Sequence, residues 1–530
     1  MLAFLFVPVA RAQYQDSIGV TLLRETTTNL NGTGIRVAQP EAYYPFTPPG
    51  TNTWEVNPAT VGQPVSLFTY YSASGTTNNF PNNLGFESGH ADGVAGYFYG
   101  IAGNEATNVA HVDNYDANYF VQFNDFAVLG VTNYSVTLPP TNIDDAVVNQ
   151  SFDYPYPDAT VGLQVASDSA YDNYAAQYGT LFVTGAGNGG PVSPPGTCYN
   201  GIGVGDNGAD TSYGPTLDNG RCKPDIVATQ GDTSWAAPQV AGAAAILMQA
   251  ALRGDGGAGT NDAADIRTIK ALLLNGAVKP ADWSNVPPEP LSTNDGAGLL
   301  NVFNSYRQLA GGEHACSVSG SVAQGGPHPP PPPVNPISAL CGWDFNSIAS
   351  SSGGLFSSAA DGVNHYFFNV TNYWPGALLT LTATLVWNRQ ENQTNINNLA
   401  LFLYNCANSN LVGCSTSVVD NVQQVFLPQL AQGTYDLQVW KAGGNDVSAD
   451  ESYALAWTFS STPLAISESG DNLVLSWPIY PAGFALESAT SLSPPILWST
   501  NLPPPVLVNG LNVVSISATN AAQFFQLITP

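Results

Sequence analysis

Residues 235–252 read "WAAPQVAGAAAILMQAAL" and carry no charge. The length suits a membrane span, but Pro238, Gln239, Gly242 and Gln249 interrupt the run and small alanines dominate it. A helix that is apolar on all sides and stays out of a membrane has to be enclosed by other elements. The chain is therefore expected to wrap a sheet and further helices around this segment, with no membrane span.

The flanking sequence supplies those elements. "TGIRVAQ" (33–39) and "YGTLFVTGAG" (178–187) read as buried strands. "ADGVAGYFYGIAG" (91–103), "SAYDNYAAQY" (169–178) and "ADIRTIKALLLNGA" (264–277) read as helices. Such alternation predicts an α/β domain, a parallel sheet with helices on both faces. The texture changes at "GGPHPPPPPVNP" (325–336), which reads as a semi-rigid spacer. Beyond it, short runs such as "ALLTLTATLVW" and "GTYDLQVWK" are separated by Gly, Asn and Asp turns, the pattern of an all-β sandwich. The expected organisation is a signal peptide at 1–12, the α/β domain at 13–312 and a Pro-rich linker at 313–336. A jelly-roll-like β-sandwich at 337–462 and a small second sandwich at 463–530 follow.

Charge excludes some partners. Lys and Arg total 12 against 39 Asp and Glu, a formal net charge of -27. That field repels phosphate backbones and anionic lipid surfaces, so nucleic acid is not expected as a partner. It suits a soluble protein outside the cell. "MLAFLFVPVARAQ" adds an apolar stretch ending in Ala10-Arg11-Ala12, an A-x-A cleavage pattern, without a positive leading region. Secretion is expected, with or without attachment to the cell surface. In an oxidising compartment the six cysteines, Cys198, Cys222, Cys316, Cys341, Cys406 and Cys414, are disulfide candidates. Fifteen pairings are open, and pairing in sequence order keeps each bridge local.

Three short stretches carry the chemistry. "GDTSWAAPQVAG" (231–242) places Ser234 at the start of the long apolar helix. A serine there is either a helix cap or a nucleophile whose developing charge the helix dipole favours. "SGHADGVAG" (88–96) contains His90, one of only five histidines. "VTGAGNGGP" (183–191) follows a strand and contains Asn188, in a turn or as a donor. Together these resemble the motifs of the subtilases, the subtilisin-like serine proteases: G-T-S-M-A-x-P-H-V-A-G, H-G-T-H-V-A-G and A-A-G-N-x-G. "CKPDIVA" (222–228) and "DGAGLLNV" (295–302) resemble two framing segments of the same family, so the resemblance covers about residues 30–310.

The resemblance implies a subtilisin-like fold and a serine endopeptidase acting on a protein or peptide substrate. It implies Ser234 as nucleophile, His90 as base and Asn188 in the oxyanion hole. The family's acid is an aspartate after the first strand. Aligning Val37-Ala38 with that strand puts Glu41 there, and a glutamate can do the same work on the imidazole. Trp235, Asp232 and Gln239 also depart from the pattern. "VVNQSFDYP" (147–155) resembles the substrate-lining strand, which adds Ser151 and Asp153 as substrate-binding candidates, and Gly187, in the stretch that carries Asn188, is a third. Asp153 stands where relatives have glycine, and either favours basic substrates or narrows the groove. No cofactor is required. The family allows a structural calcium, but no particular ligands are assigned; "HVDNYDAN" (111–118) clusters oxygen atoms that a solvated loop explains equally well. A monomer is expected. Two alternatives stay open: an inactive subtilase scaffold serving as an extracellular binding or adhesion module, and a peptidase restricted to one partner. No activating propeptide is evident between the expected signal and "GTGIRV".

Overall fold

The long apolar helix lies where its composition demands, inside a computed structural model whose described residues are 15, 17–42, 52–102, 105–120, 125–126, 131–132, 136–137, 141–153, 160–208, 210–280, 282–326, 328–354, 358–370, 379–444, 447–460, 464–469, 472–478, 484–491, 496–508, 511–517 and 523–528. The expected signal segment at 1–12 falls outside them. The helix, α4 (Thr233–Arg253), buries nearly every side chain and ends at Gly254, whose φ of 89° no β-carbon favours. It packs against α2 (Gly89–Phe98) and against the central sheet, as do α5 (Ile266–Gly276) and α6 (Val302–Ala310) against α4. Two more helices are α1 (Val20–Thr26) and α3 (Val161–Tyr178).

The sheet has eight strands: β1 (Arg36–Glu41), β2 (Phe68–Ser72), β3 (Gly75–Thr77), β4 (His111–Asp116), β5 (Val147–Gln150), β6 (Leu181–Gly185), β7 (Ile202–Asp206) and β8 (Ile226–Ala228). Their spatial order is β8-β7-β6-β5-β1-β4-β2-β3, and all pairs are parallel except β2 with β3. Helices cover both faces, so the central strands are buried at almost every residue instead of alternating. The strand order reverses beside β1, flanked by β5 and β4. At such a switch point a crevice opens at the carboxyl ends of the strands.

Two antiparallel sheets follow. One is β9 (Val318–Ala323), β11 (Ala360–Val370), β16 (Gly433–Lys441), β13 (Leu399–Asn405) and β14 (Leu411–Ser415), in that spatial order. The other is β10 (Cys341–Ala349), β17 (Asp450–Ser460), β12 (Leu379–Trp387) and β15 (Val422–Leu430). Tyr366, Phe368, Leu381, Trp387, Leu401 and Trp457 form their shared core. After residue 464 a four-stranded sheet and a two-stranded sheet close on a smaller core of Leu475, Trp477, Leu486 and Val514. The expected α/β sheet followed by all-β sandwich units is what the chain adopts.

Two expectations meet a different structure. The 313–336 stretch is more than a spacer: it contributes β9 to the larger sandwich, and the His328 carbonyl accepts from Gln438 Nε2 at 3.0 Å. Nor does the sandwich hang free. Asp172 of α3 pairs with Arg389 at 2.8 Å, Thr384 donates to Asn275 at 2.9 Å, and Asn421 donates to the Tyr199 carbonyl at 2.9 Å, all buried. The six cysteines are all unbridged. Cys414 stands opposite Phe402, four residues and ~13 Å of strand from Cys406. The Asp344 carboxyl accepts from the Cys316 backbone, three residues along β10 from Cys341. The Cys406–Cys414 spacing exceeds the roughly 7 Å that a bridge tolerates between α-carbons. Cys198 and Cys222 are each buried, and the Cys222 thiol faces the Leu291 and Ser292 carbonyls.

Candidate active site

The candidate residues gather at the carboxyl ends of β1, β5 and β6 and at the amino ends of α2 and α4. Glu41 is the last residue of β1, and His90 the second of α2. His90 Nδ1 lies 3.0 Å from Glu41 Oε2, with the glutamate side chain 1% exposed and the imidazole 16%. An ionised carboxylate only accepts, so the contact puts a proton on Nδ1 and leaves Nε2 as the basic nitrogen of the neutral ring. Burial pulls the His90 pKa down. The charge and hydrogen bond of Glu41, with the charge of Asp232, more than offset this and hold it above the usual histidine value.

A part of this arrangement not foreseen from the motifs holds Glu41 itself. Gln39 shares a strand face with Glu41, two residues away. Its Nε2 donates to Glu41 Oε1 at 2.9 Å and to the Ala91 carbonyl at 3.0 Å. Its Oε1 accepts from Tyr99 at 2.5 Å. The amide orientation is therefore fixed, and both carboxylate oxygens of Glu41 have donors. The signal was in the sequence, a glutamine on a strand that is otherwise buried. Asp92 faces elsewhere: it accepts from the Asn57 backbone at 2.7 Å.

Ser234 is the second residue of α4, and it is not the cap. The cap is Asp232, whose Oδ1 accepts from the Ser234 backbone at 2.8 Å. Trp235 sits beside His90, with ring centroids 5.2 Å apart. It also lies against α2, where a β-carbon on Gly93 would stand 2.5 Å from the Trp235 ring, so Gly93 lets the two helices approach. Pro238 lies deeper than the first turn. As the sixth helical residue it lacks the N–H that would reach the Ser234 carbonyl, four residues back. Ser151 supplies the replacement, donating its hydroxyl to that carbonyl at 2.9 Å. Asn149 donates in turn to Ser151 at 3.1 Å.

Asn188 follows β6 in an exposed loop. Its Oδ1 accepts from the Thr233 backbone at 2.9 Å and from the Thr233 hydroxyl at 3.0 Å. That fixes its amide, whose Nδ2 donates to Asp232 Oδ1 at 2.9 Å. Gly187 holds φ at 105°, and a β-carbon there would stand 2.7 Å from Asp153 Oδ2. Asp153 and Gly187 thus face each other as two walls of one crevice. Burial raises the Asp153 pKa, against the pull of a Ser193 hydrogen bond.

No group of three or more His, Cys, Asp or Glu side chains among the described residues could hold a metal ion. The oxygen cluster at 111–118 has other partners: Asp113 pairs with Arg36 at 2.8 Å and with His111 at 3.1 Å, and Asp116 accepts from Asn118.

The model of the subtilase family matches residues 71–306. His90, Ser151, Asp153, Gly187, Asn188 and Ser234 fall inside the match, and Glu41 falls outside it. Among solved structures, the chain is similar to a serine protease of Aeromonas sobria, at 12% identity and a TM-score of 0.32 over 84% of each chain. It is similar to tripeptidyl peptidase 2 at 13% identity and a TM-score of 0.31, over 77% of this chain and 47% of that one. A Pseudomonas sedolisin gives 15% identity and a TM-score of 0.36, over 56% of this chain and 96% of the other. No curated protein matches the chain. The family match takes in α2, α4 and the strands from β3 to β8, so the segment that carries His90, Asn188 and Ser234 is the part of the chain that matches the subtilase family.

Proposed function

We propose that the protein is a secreted serine endopeptidase working through Ser234, His90 and Glu41. The observation that carries this reading is the 3.0 Å contact between His90 Nδ1 and a buried Glu41, beside the helix start that bears Ser234. Ser234 Oγ attacks the scissile carbonyl carbon while its proton passes to His90 Nε2. Glu41 holds the ring in the tautomer that can accept that proton and stabilises the imidazolium. The carbonyl oxygen, now an oxyanion, takes hydrogen bonds from the Ser234 backbone N–H and from Asn188. The C–N bond then breaks as His90 returns the proton to the leaving amine. Water, deprotonated by His90, cleaves the acyl ester and restores Ser234.

The substrate in this reading is an extended peptide, by analogy with the family, with Ser151 supporting the helix start and Gly187 and Asp153 lining the crevice. Asp153, half-buried at that wall, favours a basic side chain or shortens the pocket. The sandwiches serve as substrate- or surface-binding units.

A second reading has an observation of its own. Asn188 Nδ2 is engaged with Asp232, which is what an inactive binding scaffold would tolerate. A fluorophosphonate probe separates the two. An adduct mapped by mass spectrometry to Ser234 in the full chain, and lost in His90→Ala, is the expected result. A folded protein without an adduct would favour the scaffold.

A further inference from the structure

The donors assigned to the oxyanion already share an acceptor. The Ser234 backbone N–H and Asn188 Nδ2 both point at one atom, Asp232 Oδ1, at 2.8 and 2.9 Å. Two N–H groups converging on one oxygen is the geometry that binds a tetrahedral intermediate. Here the oxygen belongs to the chain itself. We propose that Asp232 is the resident occupant of the oxyanion site and keeps Ser234 latent until its carboxylate swings out. This deepens the hydrolase reading and rests on it.

Helix capping explains only half of the arrangement. Aspartate is a preferred cap, and a cap accepts from the second or third helical N–H, as Asp232 does from Ser234. Asn188 is no part of that helix. It arrives from the loop after β6, and Thr233 holds its oxygen, which leaves its NH2 on the side where Asp232 accepts it. The same acidic side chain adds a charge where the oxyanion would form, and the subtilase motif has glycine at this position.

The occupant is removable. Asp232 sits in unstrained extended backbone, φ −161° and ψ 135°. Its neighbour Gly231 is exposed and Asp232 is itself only partly buried, so the side chain is not enclosed by the core. A ground-state carbonyl is a poorer acceptor than a carboxylate, whose hydrogen bonds are roughly twice as strong as neutral ones. Substrate binding alone therefore competes badly, and the cost falls on the approach to the tetrahedral state.

The test compares fluorophosphonate labelling rates at Ser234 in the full-length protein, Asp232→Gly and Asp232→Asn, because the bound phosphonyl oxygen needs the same two donors. Asp232→Gly is expected to label at least about tenfold faster, within the roughly 10² that oxyanion donors contribute. Asp232→Asn keeps a good cap and an acceptor oxygen without the charge, so its rate is expected between the two. Loss of a mere cap would lower the unfolding temperature and leave the rate unchanged or reduced. Labelling of Asp232→Gly at or below the wild-type rate would overturn the proposal while leaving the hydrolase reading intact. Absence of labelling in all three folded proteins would overturn both. If Asp232→Gly fails to fold, Asp232→Asn decides, and a rate no higher than wild type refutes the occupant.

Discussion

Replacing Glu41 by glutamine probes the site through geometry alone. The two oxygens of Glu41 serve different donors, His90 Nδ1 at 3.0 Å and Gln39 Nε2 at 2.9 Å. Gln39 cannot turn its amide, because its oxygen takes the Tyr99 hydroxyl and its nitrogen the Ala91 carbonyl. A glutamine at 41 offers one oxygen and one NH2. With its oxygen toward His90, two NH2 groups face each other. With its oxygen toward Gln39, its NH2 faces Nδ1 and forces the proton onto Nε2, the nitrogen that must accept from Ser234. The satisfied orientation is thus the one with the wrong tautomer. The corresponding acid-to-amide change in chymotrypsin-type proteases costs about 10⁴ in kcat, or about 5 kcal/mol at 1.36 per decade. We expect Glu41→Gln to lose 10³- to 10⁴-fold in the labelling rate of Ser234, orders taken from that precedent. Because Glu41 holds the His90 pKa up, the acid limb of the rate profile should also move to lower pH. A variant within tenfold of wild type, with an unmoved acid limb, would refute the reasoning.

Other expectations concern stability. Ser151→Ala leaves the Ser234 carbonyl without its hydroxyl donor and should cost about 1–3 kcal/mol in denaturant unfolding; Pro238→Ala in the same chain, which returns a backbone N–H to that carbonyl, should recover part of the loss. Glu105 is fully buried against Gly242, and burial lifts its pKa to about 8, against the weaker pulls of its own backbone hydrogen bond and the Arg24 charge. A carboxyl raised above its unfolded value of 4.5 holds its proton in the fold, so its contribution is fully present below pH 4.5 and is lost as pH rises through 8. Glu105→Gln should flatten that part of the stability profile, and an unchanged slope between those limits would contradict it. Arg389→Ala leaves the buried Asp172 carboxylate without its cation and should destabilise the junction of sandwich and α/β domain by about 3–5 kcal/mol, read as a lower unfolding midpoint in calorimetry.

The layered fold was legible because its signals are local. Alternating strand and helix texture, an uncharged Ala-rich run and the Gly-Asn-Asp turns after residue 337 each report on their own segment. Glu41 was picked out through the family resemblance, by aligning Val37-Ala38 with the strand that carries the family's acid, and the structure puts its carboxylate 3.0 Å from His90 Nδ1. What was not legible is long-range satisfaction of single polar groups. Pro238 frees a carbonyl that a hydroxyl 83 residues away accommodates, and nothing in either segment names the other. The double engagement of Asp232 depends on a loop 44 residues earlier. The Pro-rich stretch misled in the same way, since a strand at a sheet edge needs partners that composition does not reveal. Cysteine order misled because strand register, not sequence distance, sets which thiols meet.

The central claim is that Ser234 cleaves peptide bonds, and its most direct test is new termini. Full-length protein, Ser234→Ala and Asp232→Gly would each be incubated with an unfolded protein substrate and the products read by mass spectrometry. The account predicts internal cleavage by the wild type, faster cleavage by Asp232→Gly and none by Ser234→Ala. An intact substrate with both folded wild type and Asp232→Gly, or equal cleavage by Ser234→Ala, would contradict it.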